Sequence, residues 1–109
     1  MQSVKLNFNK FNLGELTVDG MEYVFKINEE SKKMMLKNGS NLVLFNTDKK
    51  EVRSTELFLA FKKFLPESAE KQNLMVQLGV LKSDSDFEKL LKIGKFKLNQ
   101  DGFWIETKN

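Results

Sequence analysis

A helix-forming stretch with a strong apolar stripe occupies residues 54–65, STELFLAFKKFL. Ser54 or Thr55 can accept hydrogen bonds from the free amide groups at a helix start, and Pro66 ends the helix because the residue before a proline avoids helical geometry. At about 100° per residue the apolar side chains share one face, with Leu59 nearly opposite. The stripe consists of Leu57, Phe58, Phe61, Phe64 and Leu65. The sequence therefore predicts a central amphipathic helix that packs on its stripe and exposes Leu59.

Alternating apolar and polar residues before this helix predict an antiparallel sheet. Residues 4–11 place three apolar side chains on one side, which is typical of a half-buried strand. Residues 15–18 and 21–27 flank Asp19-Gly20, a favoured two-residue turn, and are predicted to form a hairpin. Residues 41–47 contain the apolar run LVLF, short enough for a buried strand.

Helical signals surround the central stretch. Residues 28–39 predict a short helix or turn, with Asn28 or Ser31 as its cap and Asn38-Gly39 as a left-handed stop.

The segment after Pro66 is less uniform. Residues 83–93 predict a helix, because Ser85 and Glu88 have the spacing of a capping box and a glycine follows the last apolar residue. Residues 67–78 favour a helix, although the alternation within residues 74–81 also fits a strand.

The two ends of the sequence indicate strands, with helical segments between them. Residues 95–108 contain two alternating runs around residues 99–102, a pattern typical of a terminal hairpin. The length of 109 residues suits a single core, and no repeat or linker divides it. We therefore expect one α+β domain over residues 1–109, with an N-terminal antiparallel sheet, a central amphipathic helix, further helical structure and a C-terminal β-hairpin.

The composition lacks the residue types on which most enzymes and metal sites depend. There is no cysteine and no histidine, which removes thiolate and imidazole ligands, cysteine nucleophiles and the commonest general base. Carboxylate pairs remain, but none has the spacing of a known metal loop. The sequence predicts no enzyme, no metal and no cofactor.

The apolar runs of the chain are short. None approaches the about 20 residues that span a bilayer, and the first residues alternate instead of forming the apolar core of a signal peptide. We expect a cytoplasmic protein in a bacterial host cell, without a membrane partner.

The segment LMVQLGV at residues 74–80 resembles the part of helix-turn-helix proteins where the first motif helix ends in a Leu-Gly-Val turn. The resemblance implies a recognition helix at residues 83–93 and a wing at residues 95–108, as in winged-helix regulators. The start of that helix carries acidic residues, which repel phosphates. A winged-helix fold here is therefore expected to contact protein.

The C-terminal hairpin also suggests an alternative function in nucleic-acid binding. Lys95, Lys97 and Lys108 interleave with aromatic residues, and such a surface can stack on bases and neutralise a single strand. Trp104 is out of phase with its apolar neighbours and is expected on the solvent side. Five strands with a helix in the middle would suit an oligonucleotide-binding barrel, if residues 74–81 formed the fourth strand.

The leading prediction is a small non-catalytic binding protein that modulates another protein. The chain carries eighteen basic and fifteen acidic residues without segregation, and only Arg53 is an arginine, so specific DNA reading is disfavoured. Its Lys-, Asn- and Phe-rich composition is similar in style to that of accessory proteins of bacteriophages and mobile elements, such as anti-restriction and anti-CRISPR inhibitors. The partner would be a host or mobile-element protein, and a second alternative is a virion assembly protein. The predicted partner-binding residues are Leu59, Trp104, Asp84, Asp86 and Glu88.

Overall fold

A computed structural model shows an α+β fold with one antiparallel sheet. It describes residues 2–39, 43–45, 47–65, 76–77, 79–81, 83–97, 99–100 and 102–108. Within these residues the sheet has six strands in the order β4-β3-β2-β1-β6-β5. The predicted α+β class is therefore confirmed, and the C-terminal strand β6 joins the N-terminal strand β1 inside the same sheet.

The first three strands form a meander. They are β1 (Ser3–Phe8), β2 (Phe11–Asp19) and β3 (Glu22–Ile27). The alternating pattern predicts its strands and its second turn, but the first turn lies at Asn9 and Lys10, so the strand predicted over residues 4–11 ends early and the next one begins at Phe11. Val4 lies opposite Leu16 across the β1–β2 ladder. Residues of these two strands whose side chains point in the same direction as Val4 and Leu16 form one apolar face.

The remaining strands complete the two sides of the sheet. They are β4 (Glu51–Ser54), which pairs with β3, and β5 (Asn99–Gln100) and β6 (Phe103–Lys108), which pair with each other. β6 also pairs with β1, so that Leu6 lies opposite Ile105. Strand β6 thus lies within the sheet, whereas the wing of a winged-helix protein projects from the body.

In the part of the chain that the structure describes, three α-helices contribute side chains to the same core as the apolar face of the sheet: α1 (Glu29–Lys37), α2 (Leu59–Lys62) and α3 (Asp86–Gly94). Asn28 caps α1 by accepting a hydrogen bond from the Ser31 amide, and Gly39 follows with a φ of 76°, as predicted. Ser85 caps α3 by accepting a hydrogen bond from the Glu88 amide. No helix in the described part of the chain is long and apolar enough to cross a membrane.

The core fills the space between the helices and the apolar face of the sheet. Phe61 of α2 stacks edge-on against Phe25 of β3, with ring centroids 5.7 Å apart. At the other end of the sheet Thr107 donates its hydroxyl hydrogen to the Leu91 carbonyl of α3. Helices and sheet therefore form two layers, and the second face of the sheet points away from the core.

The predicted central helix is wrong in extent. Ser54 belongs to strand β4, and the helix begins only at Leu59 and ends at Lys62. The Ser54 hydroxyl accepts a hydrogen bond from the Glu56 amide, so it caps a turn and not a helix. The predicted burial of the apolar stripe is nevertheless confirmed for Leu57, Phe61 and Phe64, which all lie in the core.

The predictions on either side of β4 also change. The sequence between the run LVLF and the helix is polar and mixed in charge, which is typical of a connection, but Glu51–Ser54 pairs with β3 as an edge strand. The run LVLF was expected to be a strand, whereas Val43–Phe45 forms a 3-10 helix that buries Leu44 and Phe45.

The segment at residues 67–78 lies mostly outside the described residues. Val76 and Gln77 are helical, and Gly79 follows with a φ of 83°.

Candidate functional site

Leu59 is a large apolar side chain that the fold holds in solvent. It is the first residue of α2, and 78% of its surface is exposed. Its neighbours on the chain are fixed: Phe58 packs against Phe25 with ring centroids 6.5 Å apart, and Phe61 is fully buried. Leu59 is therefore exposed on an anchored segment, as its position opposite the stripe predicts.

Asp84 has a structural role that the sequence did not reveal. Its carboxylate accepts hydrogen bonds from the Lys92 ammonium at 2.7 Å and from the Leu81 amide at 2.9 Å. The hydrogen bond from Lys92, followed by that from the amide, holds the pKa of this carboxyl below its usual range. Because only 9% of the side chain is exposed, Asp84 is not free to contact a partner.

Asp86 and Glu88 remain available at the start of α3, and both are exposed. Burial raises the pKa of Tyr23, and the negative charge of Asp86 at the start of α3 raises it further. Tyr23 also lies opposite Ser54, from which the chain runs directly to Leu59. Leu59, Asp86 and Glu88 therefore belong to the same helical layer. We call these three residues the helix-side surface.

Trp104 lies on the opposite side of the molecule. It alternates with the core residue Ile105 along β6, and it lies opposite Asn7 of β1. Its indole N–H donates a hydrogen bond to the Asn9 carbonyl at 2.9 Å. Asn7 beside it is buried, and its Nδ2 has no hydrogen-bond acceptor among the described residues. The predicted partner-binding residues are thus divided between two faces, and Trp104 cannot join Leu59 in one small contact.

The lysines of the proposed nucleic-acid surface are mostly paired with carboxylates. Lys97 lies 3.6 Å from Glu106, and Lys108 lies 3.9 Å from Glu15. Lys95 is exposed and follows the last residue of α3. Because a phosphate would have to compete with Glu106 and Glu15, this face offers a mixed charge to a nucleic acid.

The structure adds an open sheet edge that the sequence analysis missed. Arg53 of the edge strand β4 lies 2.8 Å from Glu51 and 3.1 Å from Asp19, and Glu22 lies 3.8 Å away. The two side-chain hydrogen bonds, to Asp19 and then to Glu51, raise the pKa of the Arg53 guanidinium above its usual value. The signal in the sequence is the alternation Glu51-Val52-Arg53, which is too short to indicate a strand without its partner β3.

A groove of about 470 Å³ runs beside this edge. It is lined by Thr47, Lys49, Glu51, Val52 and Arg53. Its lining includes Val52 from one face of β4 and Glu51 and Arg53 from the other, so the groove adjoins the edge of the strand.

Comparison with known proteins gives no relative for this chain: no protein-family model matches it, and no curated protein sequence matches it. The functional argument therefore depends on the residues and geometry described above.

Proposed function

We propose that this chain is a small non-catalytic binding protein whose target is another protein, and that it contacts this target through the helix-side surface. The observation that carries the proposal is Leu59, which is 78% exposed at the start of a helix that is otherwise packed into the core. A large apolar side chain that is held in place loses little conformational entropy when a partner covers it.

The charges of the helix-side surface indicate the kind of target. Asp86 and Glu88 are both exposed on the first turn of α3, and Ser85 fixes that turn by capping it. Acidic groups in the same layer as an exposed apolar side chain favour a basic partner, because complementary charge speeds association and selects among targets. We propose a basic protein surface as the target.

The proposal includes the mode of action. A compact protein that binds a basic surface can block what that surface would otherwise bind, as anti-restriction and anti-CRISPR inhibitors of bacteriophages do. In this proposal the target is a host or mobile-element protein, and the chain acts by occupying it. The ion pairs at Lys97 and Lys108 weigh against direct nucleic-acid binding as the main activity.

Affinity capture from a bacterial lysate, with and without nuclease, tests this proposal. We expect the wild-type chain to retain at least one protein after nuclease treatment and Leu59→Ser to lose it. Met21→Ser is the matched control, since Met21 is 90% exposed but lies in the turn between β2 and β3. Both variants should keep the circular dichroism spectrum of the wild type.

Two outcomes would reject the proposed surface. In the first, Leu59→Ser captures the same protein as well as Met21→Ser does. The other is capture that depends on nucleic acid and disappears with nuclease for all three proteins.

A further inference from the structure

We propose that β4 is a self-association edge, through which two copies of this chain pair antiparallel about a two-fold axis at Val52 and join their sheets. β4 is at one end of the strand order, so no strand of the described residues covers its outer side. An uncovered strand edge presents backbone donors and acceptors in a row and can add another strand. The pairing is independent of the target protein proposed above.

The hydrogen bonds between β3 and β4 determine which backbone groups face the open edge. Ile27 of β3 donates its N–H to the Lys50 carbonyl at 2.9 Å. In an antiparallel ladder, hydrogen-bonded and non-hydrogen-bonded residues alternate. Val52, two residues after Lys50, therefore also directs its N–H and C=O toward β3. Glu51 and Arg53 direct theirs toward the open edge.

The charges of β4 select one register for a second copy. With the two-fold axis at Val52, Glu51 lies opposite Arg53 of the second copy, and Arg53 lies opposite its Glu51. Both residues have outward N–H and C=O groups, so each pair can exchange backbone hydrogen bonds in both directions. Opposite charges directly across an antiparallel ladder also stabilise it.

The other symmetric registers are unfavourable. A two-fold axis at Glu51 or at Arg53 places like charges directly opposite each other, and an axis at Lys50 does the same with two lysines. An axis between two residues would place an outward-facing residue opposite one that faces β3, and their backbone groups could not pair. An axis at Ser54 would place Arg53 opposite Thr55, which lies outside β4, and would form no pair of opposite charges. The axis at Val52 is therefore the register that pairs both outward-facing residues of β4 and matches their charges.

The side chain at the axis and the groove beside it also fit a second strand. Val52 is partly buried against the core, and pairing would bring it against Val52 of the second copy. The groove of about 470 Å³ along this edge provides the space for that strand. Because β4 contains only four residues, the pairing buries a small area, and we expect a dimer that forms at micromolar or higher concentration.

Charge exchange tests the register directly by sedimentation equilibrium. Glu51→Arg alone and Arg53→Glu alone should each weaken dimer formation about tenfold or more, because like charges then face each other. An equimolar mixture of the two variants should form a heterodimer at least as readily as the wild type does, because every cross-strand pair is again opposite in charge. Glu30→Arg and Lys10→Glu are matched controls, since both change exposed charges by the same amounts away from β4.

Cysteine cross-linking gives a second measurement that does not depend on charge. The chain has no cysteine, so a single one can be introduced without side reactions. We expect Val52→Cys to form a disulfide dimer on mild oxidation faster than Glu51→Cys or Arg53→Cys, because position 52 lies on the axis. A wild-type chain that stays monomeric up to about 1 mM would overturn the proposal. Single variants that dimerise as well as the wild type, or equal cross-linking at all three positions, would overturn it too.

Discussion

Two residues of the same short helix show how burial determines what a side chain contributes to the stability of the fold. Phe61 is fully buried with its ring 5.7 Å from that of Phe25, whereas Leu59 is 78% exposed. Phe61→Ala should therefore lower the free energy of unfolding by about 3–5 kcal/mol, through lost apolar burial and the cavity left behind. Leu59→Ala, its control on the same helix, should change it by less than about 0.5 kcal/mol. Urea denaturation measures both, and equal losses would contradict the placement of this helix.

Asp84 makes the stability of the chain depend on pH in the acid range. Its pKa in the folded chain is lowered by the hydrogen bonds from Lys92 and the Leu81 amide. The stabilisation is therefore fully present above the pKa of an unfolded aspartate, about 3.9, and is lost as the pH falls through the lower pKa of the folded state. Asp84→Asn should be less stable than the wild type at pH 7, and the difference should shrink below about pH 4.

Denaturation curves of both proteins between pH 7 and pH 3 measure this effect. Asp48→Asn is the control, because Asp48 is an exposed carboxylate in the bend before β4. A gap between Asp84→Asn and the wild type that stays constant over this range would show that the carboxylate does not act through its charge.

At the scale of elements, the end of α3 is packed against β6 at Gly94. An added Cβ at this position would meet the Thr107 hydroxyl and lie 2.8 Å from the Thr107 backbone nitrogen. In an open helix Gly→Ala stabilises by about 0.5–1 kcal/mol, but here the backbone of β6 would have to move. We expect Gly94→Ala to lower the melting temperature, while Lys95→Ala, at the exposed next residue, leaves it nearly unchanged. A higher melting temperature for Gly94→Ala would mean that α3 and β6 are not in contact here.

The elements that the sequence predicted well carry their own local signals. Strands β1 to β3 alternate with a period of two and turn at Gly20, and α3 begins at a Ser85 cap that accepts from the Glu88 amide. Each of these signals acts within a few residues, so it is readable without knowledge of the rest of the fold. The exposure of Leu59 was also predictable, because it required only the angle between helix positions.

The elements that were predicted wrongly depend on partners far away in the sequence. Glu51–Ser54 is a strand because the outer edge of β3 is available to it, and no local pattern indicates that edge. Because Ser54 pairs with β3, it cannot cap a helix, and the helix begins at Leu59. The sequence places Asp84 in the predicted binding surface, because its ion pair with Lys92 is a tertiary contact that no local pattern indicates.

At the scale of the whole molecule, the two terminal strands of the fold lie side by side. β1 and β6 pair antiparallel, with Ser3 opposite Lys108, and this pairing joins β5 and β6 to the strands β1 to β4. The first strand is therefore left unpaired on one side until the last strand has arrived. The sheet consequently depends on contacts between the most distant parts of the chain. Contacts of such large sequence separation form slowly during folding.

A circular permutant tests this arrangement. Joining residue 108 to residue 3 with a linker of about four Gly and Ser residues should be possible without strain, because paired strands lie about 5 Å apart. New ends can be opened between Gly20 and Met21, where the turn is exposed and a Cβ added at Gly20 would meet no atom within 4 Å. The permutant should keep the wild-type circular dichroism spectrum and lose no more than about 2 kcal/mol of unfolding free energy, because every strand pair survives and only loop connections change.

As a control, the same linker with new ends between Val24 and Phe25 should not fold, since it cuts β3 between two buried residues. A permutant opened at Gly20 that fails to fold would contradict the pairing of β1 with β6.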